Sequence, residues 1–264
     1  MKLLIIADIH ANITALRAVA ADAGPVDAIY CAGDYVDYGT DPHEVIAWVR
    51  EHSVHCVIGN HDRHLLNILA SGEVERFRGT RQWKWVHDNC LRITPEDADF
   101  LRGLPEHMRF AADGIDYVMQ HQMKDGCYDV PESLQAFDDC WQRWHGGPAN
   151  GRPRRMIFGH THRRCVHMLD DDALWLNPGS VSYRRPDDDD KRAHYMLITD
   201  GRISFHAVPY ERGAMLERVM EYVRRGDMLE TDLQDLLFFF GNAKTTRDPL
   251  PASGKGETLR GAAP

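Results

Sequence analysis

At five places in this 264-residue chain, acidic, amide or imidazole side chains stand directly after an apolar run. Asp8 and His10 follow "LLIIA", Asp34 follows "AIYCAG", Asn60 follows "CVIG", His121 follows "DYVMQ", and His160 and His162 bracket Thr161 after "MIFG". Such a run reads as a buried strand delivering side chains at its end, and in α/β sheets ligands bind outside the carboxyl ends of the strands. The members of the pairs 8/10 and 160/162 are two residues apart, so on an extended chain each pair projects to one side. Three oxygen donors with four imidazoles do not make a closed thiolate zinc knuckle. They fit two metal ions sharing one carboxylate, with mixed ligation suited to manganese, iron or zinc and positions left open for water and substrate. "VIGNHDRH" at 57–64 adds His61 and Asp62 to a Gly59-Asn60 pair whose tolerance of left-handed backbone would by itself serve a strand exit. Two further polar residues exceed what a turn requires.

The elements that must position these residues alternate. "KLLIIAD" predicts a short buried strand, "ANITALRAVAADAG" an amphipathic helix ending near Gly24, and "VDAIYCAGD" a second strand. "DPHEVIAWVREHS" predicts a helix with Asp41 as N-cap and Pro42 in the first turn, followed by a third strand over "VHCVIGN". Two β-α-β units imply a parallel sheet with helices on its faces. From about 64 to 105 the pattern is helical and polar, a helical insert that ends in the capped helix "TPEDADFLRGLP". Strands resume with "IDYVMQH", "RRMIFGH", "ALWLN" and a hairpin around Asp200-Gly201, a more antiparallel second half interrupted by an irregular stretch at 122–150. Residues 211–240 predict one or two helices, and the Pro- and Gly-rich end at 242–264 predicts a mobile tail.

In order along the chain, "DIH" at 8–10, "GDYVDYG" at 33–39, "GNHD" at 59–62, the lone His121 and "GHTH" at 159–162 resemble the five blocks of the calcineurin-like metallophosphoesterases. The resemblance spans roughly 1–208, and "NPGSVSYRR" from Asn177 is similar to the bacterial single-domain branch; Gln122 stands where the family has a glycine after the lone histidine. It implies an α/β fold, a four-layer α/β/β/α metallophosphoesterase sandwich over residues 1–241. Carried over residue by residue, it gives Asp8, His10 and His162 to one metal, Asn60, His121 and His160 to the other, and Asp34 to both. The implied cofactors are two divalent transition-metal ions, manganese foremost, with iron, zinc or nickel as alternatives. The implied chemistry is attack on phosphorus by a hydroxide held between the metals, with His61 as general acid, oriented by Asp37, and with Asn60 and His61 also against the substrate. The activity expected is a phosphatase or phosphodiesterase on small phosphorylated substrates. A nucleotide or diadenosine-polyphosphate hydrolase or a protein phosphatase is the alternative within the enzymes, and a metal-loaded binding scaffold the alternative outside them. A scaffold usually loses a ligand or the acid, and all eight residues are present.

Composition narrows the rest. A net charge of −9 argues against general nucleic-acid binding, although Arg152, Arg154 and Arg155 cluster locally. Six scattered cysteines without a C-x-x-C pair read as reduced thiols. No apolar window approaches a membrane span and the N-terminal run is short for a signal peptide, so no membrane association and a cytoplasmic location are expected. Trp83, Trp85, Trp141 and Trp144 could line a cleft, but at helical spacing they read as core. The acidic run "PDDDDKR" at 186–192 reads as a solvated loop. No pattern in the sequence speaks to oligomeric state.

Overall fold

Alternation along β1 (Lys2–Ile6) sets the architecture: Leu4 and Ile6 enter one apolar cluster, and Leu3 and Ile5 enter another on the opposite face. A strand with both faces apolar must be covered on both sides. A computed structural model describes residues 1–124, 128–145, 151–183 and 188–241. The expected tail at 242–264, and parts of the stretch at 122–150 and of the acidic run, lie outside these residues.

The chain continues through α1 (Ile13–Ala23), capped by Asn12, whose side chain accepts the Ala15 N–H at 3.0 Å, to β2 (Ala28–Cys31), parallel to β1. In α2 (Pro42–Glu51) Asp41 holds the N-cap position and Pro42 the first turn as expected, but the Asp41 side chain makes no capping hydrogen bond. Its carboxylate instead accepts a hydrogen bond from Arg218 at 2.7 Å. β3 (His55–Cys56) is shorter than the apolar run suggests, because the Ile58 N–H turns away to the Pro105 carbonyl at 2.9 Å. Helices α3 (Asn60–Ser71), α4 (Glu73–Phe77), α5 (Trp85–Arg92) and α6 (Pro95–Arg102) follow, the first beginning inside "GNHD" itself.

Next come β4 (His107–Ala112), β5 (Ile115–Gln120), α7 (Leu134–His145), β6 (Arg154–Ile157), β7 (Arg164–Asp170) and β8 (Ala173–Pro178). β9 (Ala193–Thr199), β10 (Arg202–Val208), α8 (Gly213–Arg225) and α9 (Glu230–Phe240) complete the described chain. The sheets run β10-β9-β1-β2-β3 and β4-β5-β6-β8-β7. The second half is less antiparallel than its sequence suggests, since β6 pairs in parallel with both β5 and β8. The stretch expected to be irregular contains α7, whose Phe137 and Trp141 cover the second sheet.

Four layers result. One core lies between the first sheet and α1, α2 and the insert; a second, with Leu3, Ile5, Tyr117, Met119 and Ile157, lies between the sheets; a third lies under α7. A further cluster joins α8 and α9 to Trp83, Trp85 and Tyr183. Trp83, Trp85 and Trp141 are therefore core, and Trp144 packs against the edge of the α7 cluster. The arginines at 152, 154 and 155 engage Asp116, Asp138 and the Tyr117 hydroxyl. The acidic run is not simply solvated: Asp190 accepts hydrogen bonds from Arg192 and from buried His194, which hold its carboxyl well below the usual carboxylate range, while Lys191 lies 3.5 Å over the Phe238 ring. Among the described residues no helix is long and apolar enough to cross a membrane.

Phe239 is fully buried between α9 and Tyr183, so Phe239→Ala is expected to cost about 3–5 kcal/mol. The measurement is the denaturant midpoint at unchanged slope. A cost near zero would mean that α8 and α9 are not part of the cooperative body.

Candidate metal centre

Strand ends of both sheets meet at one place. Asp8 and His10 leave β1, Asp34 and Asp37 leave β2, and Asn60 and His61 open α3 after β3. His121 leaves β5, and His160 and His162 leave β6. Ligand-capable atoms of Asp8, His10, Asp34 and His162 lie within 4.8 Å of one another, and all four residues are buried. Around Asn60 a second group closes: its side-chain oxygen is 2.8 Å from His121 Nε2 and 2.8 Å from His160 Nδ1. Asp34 stands between the groups, with Oδ2 3.2 Å from His121 Nε2 and 4.0 Å from His10 Nε2.

Backbone geometry brings them there. Asp8, His10, Asp34, Asp37, His160 and His162 all have positive φ, between 48° and 69°, a region that non-glycine residues enter rarely. Gly59 and Asn60 do not use their tolerance of left-handed backbone: Gly59 has φ −98° and Asn60 is already helical. The strain is held by cross-ties between loops. The Asp8 N–H donates to the Gly33 carbonyl at 2.9 Å, the His10 N–H to the Asp34 carbonyl at 3.0 Å, and the His160 N–H to Asp8 Oδ1 at 3.0 Å. Strain of this kind persists where the surroundings over-determine it, and it concentrates at functional sites.

Gly59 is required for close approach. A Cβ there would lie 2.0 Å from Asp34 Oδ1 and 2.4 Å from the Asp34 nitrogen. Gly59→Ala is expected to destabilise the protein by about 1–3 kcal/mol and to lower its metal content. Chemical denaturation and elemental analysis of the purified variant check this; wild-type values in both would mean that Asp34 can move aside.

The imidazoles are set up as ligands. His10 Nδ1 donates to the Val36 carbonyl at 3.1 Å and His121 Nδ1 to the Ala32 carbonyl at 2.7 Å, which leaves each Nε2 facing the site. His10 and His162 bring their Nε2 atoms to 3.2 Å. Two ligands on one metal at bonds of about 2.0–2.1 Å lie about 2.8–3.4 Å apart, the same range. Burial, reinforced by the neighbouring imidazoles of His162 and His61, holds His10 down at about 3, and burial together with His121 holds His160 at about 4. Burial opposes charge on His121, but Asp34 outweighs it and raises the imidazole to about 9. Asp34 itself stays well below the usual carboxylate range despite burial, because His121 and His61 face it. Asp8 Oδ2 is buried with no hydrogen-bond partner among the described residues. A buried carboxylate oxygen left bare in a cluster of imidazoles is a cation site by its chemistry, and the mixed donor set fits transition metals.

His61 takes a different position. Its Nδ1 donates to Asp37 Oδ2 at 2.8 Å and its N–H to Asp34 Oδ1 at 2.9 Å, while its ring lies 5.0 Å from His10 and 5.1 Å from Tyr38. Burial opposes its protonation, and Asp34 and Asp37 overcome that and push it up to about 9.

Three supporting residues have no expected role in the sequence reading. Asp62 Oδ2 accepts the N–H groups of Asp34 and Gly59 at 3.0 and 2.8 Å, and its Oδ1 accepts that of Tyr35 at 2.9 Å, so it ties the β2 exit to the start of α3. Asn89 in α5 accepts the Asp37 N–H at 2.9 Å and donates to the Gly39 carbonyl at 2.8 Å. Asn177 donates to the Gly159 carbonyl at 2.7 Å and accepts the Gly179 N–H at 2.8 Å. Asp62 and Asn177 lie within quoted motifs, where surplus polarity is the signal; Asn89 has none.

A family model described as the calcineurin-like phosphoesterase superfamily domain matches residues 1–200. The fold is similar to the crystal structure of a metallophosphoesterase from Sphaerobacter thermophilus, with a TM-score of 0.66 and 25% identity over 89% of this chain and 98% of that one. It is also similar to that of a hypothetical protein from Pyrococcus horikoshii, with a TM-score of 0.64 and 16% identity over 83% and 92% of the two chains. An uncharacterized protein of Methanocaldococcus jannaschii is 26% identical over 238 residues, 82% of this chain and 91% of its own.

Proposed function

The chain belongs to the calcineurin-like phosphoesterase superfamily, and on that premise we propose that it hydrolyses small phosphate esters with two divalent transition-metal ions, manganese being the first to test. The observation that carries this reading is the convergence of Asp8, His10, Asp34 and His162, contiguous through Asp34 with Asn60, His121 and His160. Asp8, His10 and His162 would hold one ion, Asn60, His121 and His160 the other, and Asp34 both. When bound, divalent ions neutralise charge on phosphoryl oxygens and lower the pKa of water.

The remaining chemistry belongs to the side chains. Because His61 Nδ1–H donates a hydrogen bond to Asp37, Nε2 is the nitrogen that can hand a proton to the departing oxygen. Asp37 fixes the ring's orientation and favours its charged form, and Asn89 fixes the Asp37 backbone in turn. His10 and His160, kept neutral by burial, offer lone pairs and do not compete with His61 as acids.

The test uses chelator-treated protein resupplied with manganese, zinc, iron or nickel. Metal-dependent release of p-nitrophenolate from p-nitrophenyl phosphate or bis-p-nitrophenyl phosphate is expected. Absence of release from both with every metal would overturn the proposal.

A further inference from the structure

Beside His121, a cavity of about 210 Å³ opens between the first turn of α3, the start of β4 and the exit of β5. His121 is the one member of the seven-residue ligand set among its lining residues. His61 stands at the opposite end, 5.0 Å from His10 and hydrogen-bonded to Asp37, and none of these three lines the cavity. Asp34 lies between the ends, 3.2 Å from His121 and 4.0 Å from His10.

This arrangement bears on which esters fit. A leaving group must face the acid that protonates it. Displacement at phosphorus leaves the other substituents in place, and for a monoester these are bare oxygens. A diester retains an esterified group as well, which needs room away from the leaving group, and the cavity at the His121 end is such room.

Its lining also has a sign. Among the described residues, Arg63, His107 and Lys124 face it against one acid, Glu106. Two of the carboxylates that meet the permanent cations are exposed: Arg63 is 3.2 Å from Glu106, whose side chain is 81% exposed, and Lys124 is 3.3 Å from Asp129, which is 63% exposed. Such pairs are weak and screened by solvent, so an incoming anion can take over from the carboxylates.

Resting on the hydrolase reading above, we propose that the substrate is a phosphodiester whose retained substituent carries a second negatively charged group, held in this cavity by Arg63 and Lys124. The volume is below the roughly 300–1,000 Å³ of sites for drug-sized ligands, which suits a phosphorylated sugar and not a polymer.

Three esters with one leaving group test it with the manganese-loaded protein: p-nitrophenyl phosphate, thymidine 5′-(p-nitrophenyl phosphate), and the latter phosphorylated at the sugar 3′ position. The 3′-phosphorylated diester is expected to exceed the plain diester in kcat/KM by at least ~10-fold, through KM, since a charge-assisted contact is worth about that much. Arg63→Gln combined with Lys124→Gln should collapse the preference to within about twofold of parity and weaken calorimetric binding of thymidine 3′,5′-bisphosphate by at least ~10-fold. If the double variant does not fold, Lys124→Gln alone, at an exposed side chain, should lower both the preference and the binding by several-fold. Hydrolysis of p-nitrophenyl phosphate alone, equal rates on the two diesters, or a preference and binding that survive the substitutions would overturn the inference. No hydrolysis of any ester would instead overturn the hydrolase reading on which it rests.

Discussion

An Asp34→Ala protein is expected to lose both metal positions together, falling from about two equivalents of transition metal per chain to well under one, with affinity reduced by more than ~100-fold. The reason is placement. Asp34 Oδ2 is within 4.0 Å of His10 Nε2 and 3.2 Å of His121 Nε2, so a single carboxylate serves both groups. Its other oxygen accepts the His61 N–H at 2.9 Å, so its loss also loosens the first turn of α3. Activity should fall by more than ~10³-fold even in excess metal, because charge stabilisation by both ions is lost. Elemental analysis after gel filtration checks the first claim, and a metal titration of hydrolysis the second. An alanine variant that retains two equivalents would sink the assignment of Asp34 to both ions.

The other large effect is selective. His61→Asn should leave metal content intact, since the ligands are proposed to come from seven other residues, yet cost ~10²–10⁴-fold in rate on an alkyl phosphate. An alkoxide is too basic to depart without a proton, whereas p-nitrophenolate is stable enough to leave unaided, so the loss on the aryl ester should be far smaller. Asp37→Asn should show a milder version of the same selectivity, because it removes the acceptor 2.8 Å from His61 Nδ1 but leaves the imidazole. The measurement is kcat/KM for both ester types beside metal analysis. Equal losses on the two esters would mean that His61 positions the phosphate and does not protonate the leaving group; loss of metal would make it a ligand.

Much of the candidate site was legible because each member sits at a strand exit, where an apolar run stops abruptly at a polar residue. The buried strand over "KLLIIAD" and the Pro42 start of α2 were legible from local pattern as well. What lay beyond reading depended on partners distant in sequence. β7 pairs with β8 at the sheet edge and is exposed at most positions, with Arg164 and Asp170 on one face and His167 on the other, so its run "RCVHMLD" has no wholly apolar face to recognise. β3 ends early because Pro105 captures the Ile58 N–H, a contact across 47 residues that no window contains. The left-handed φ values could not be assigned from type either: they fall on aspartates and histidines, while the glycine that looked suited to a turn, Gly59, is needed for lack of volume.

The residues proposed as ligands come from both sheets, and His10 and His162, 3.2 Å apart, stand 152 positions apart in the chain. No contiguous fragment short of most of the chain can therefore assemble the centre, and in an unfolded chain the same residues are too scattered to chelate. On the proposed reading, ions held there would favour the folded state and tie its two halves across the inter-sheet core, each adding about 2.7 kcal/mol of stability at one hundred times its dissociation constant. Metal supply would then govern how long the fold survives as well as whether it turns over substrate, and a starved chain would be lost to proteolysis before it was merely idle.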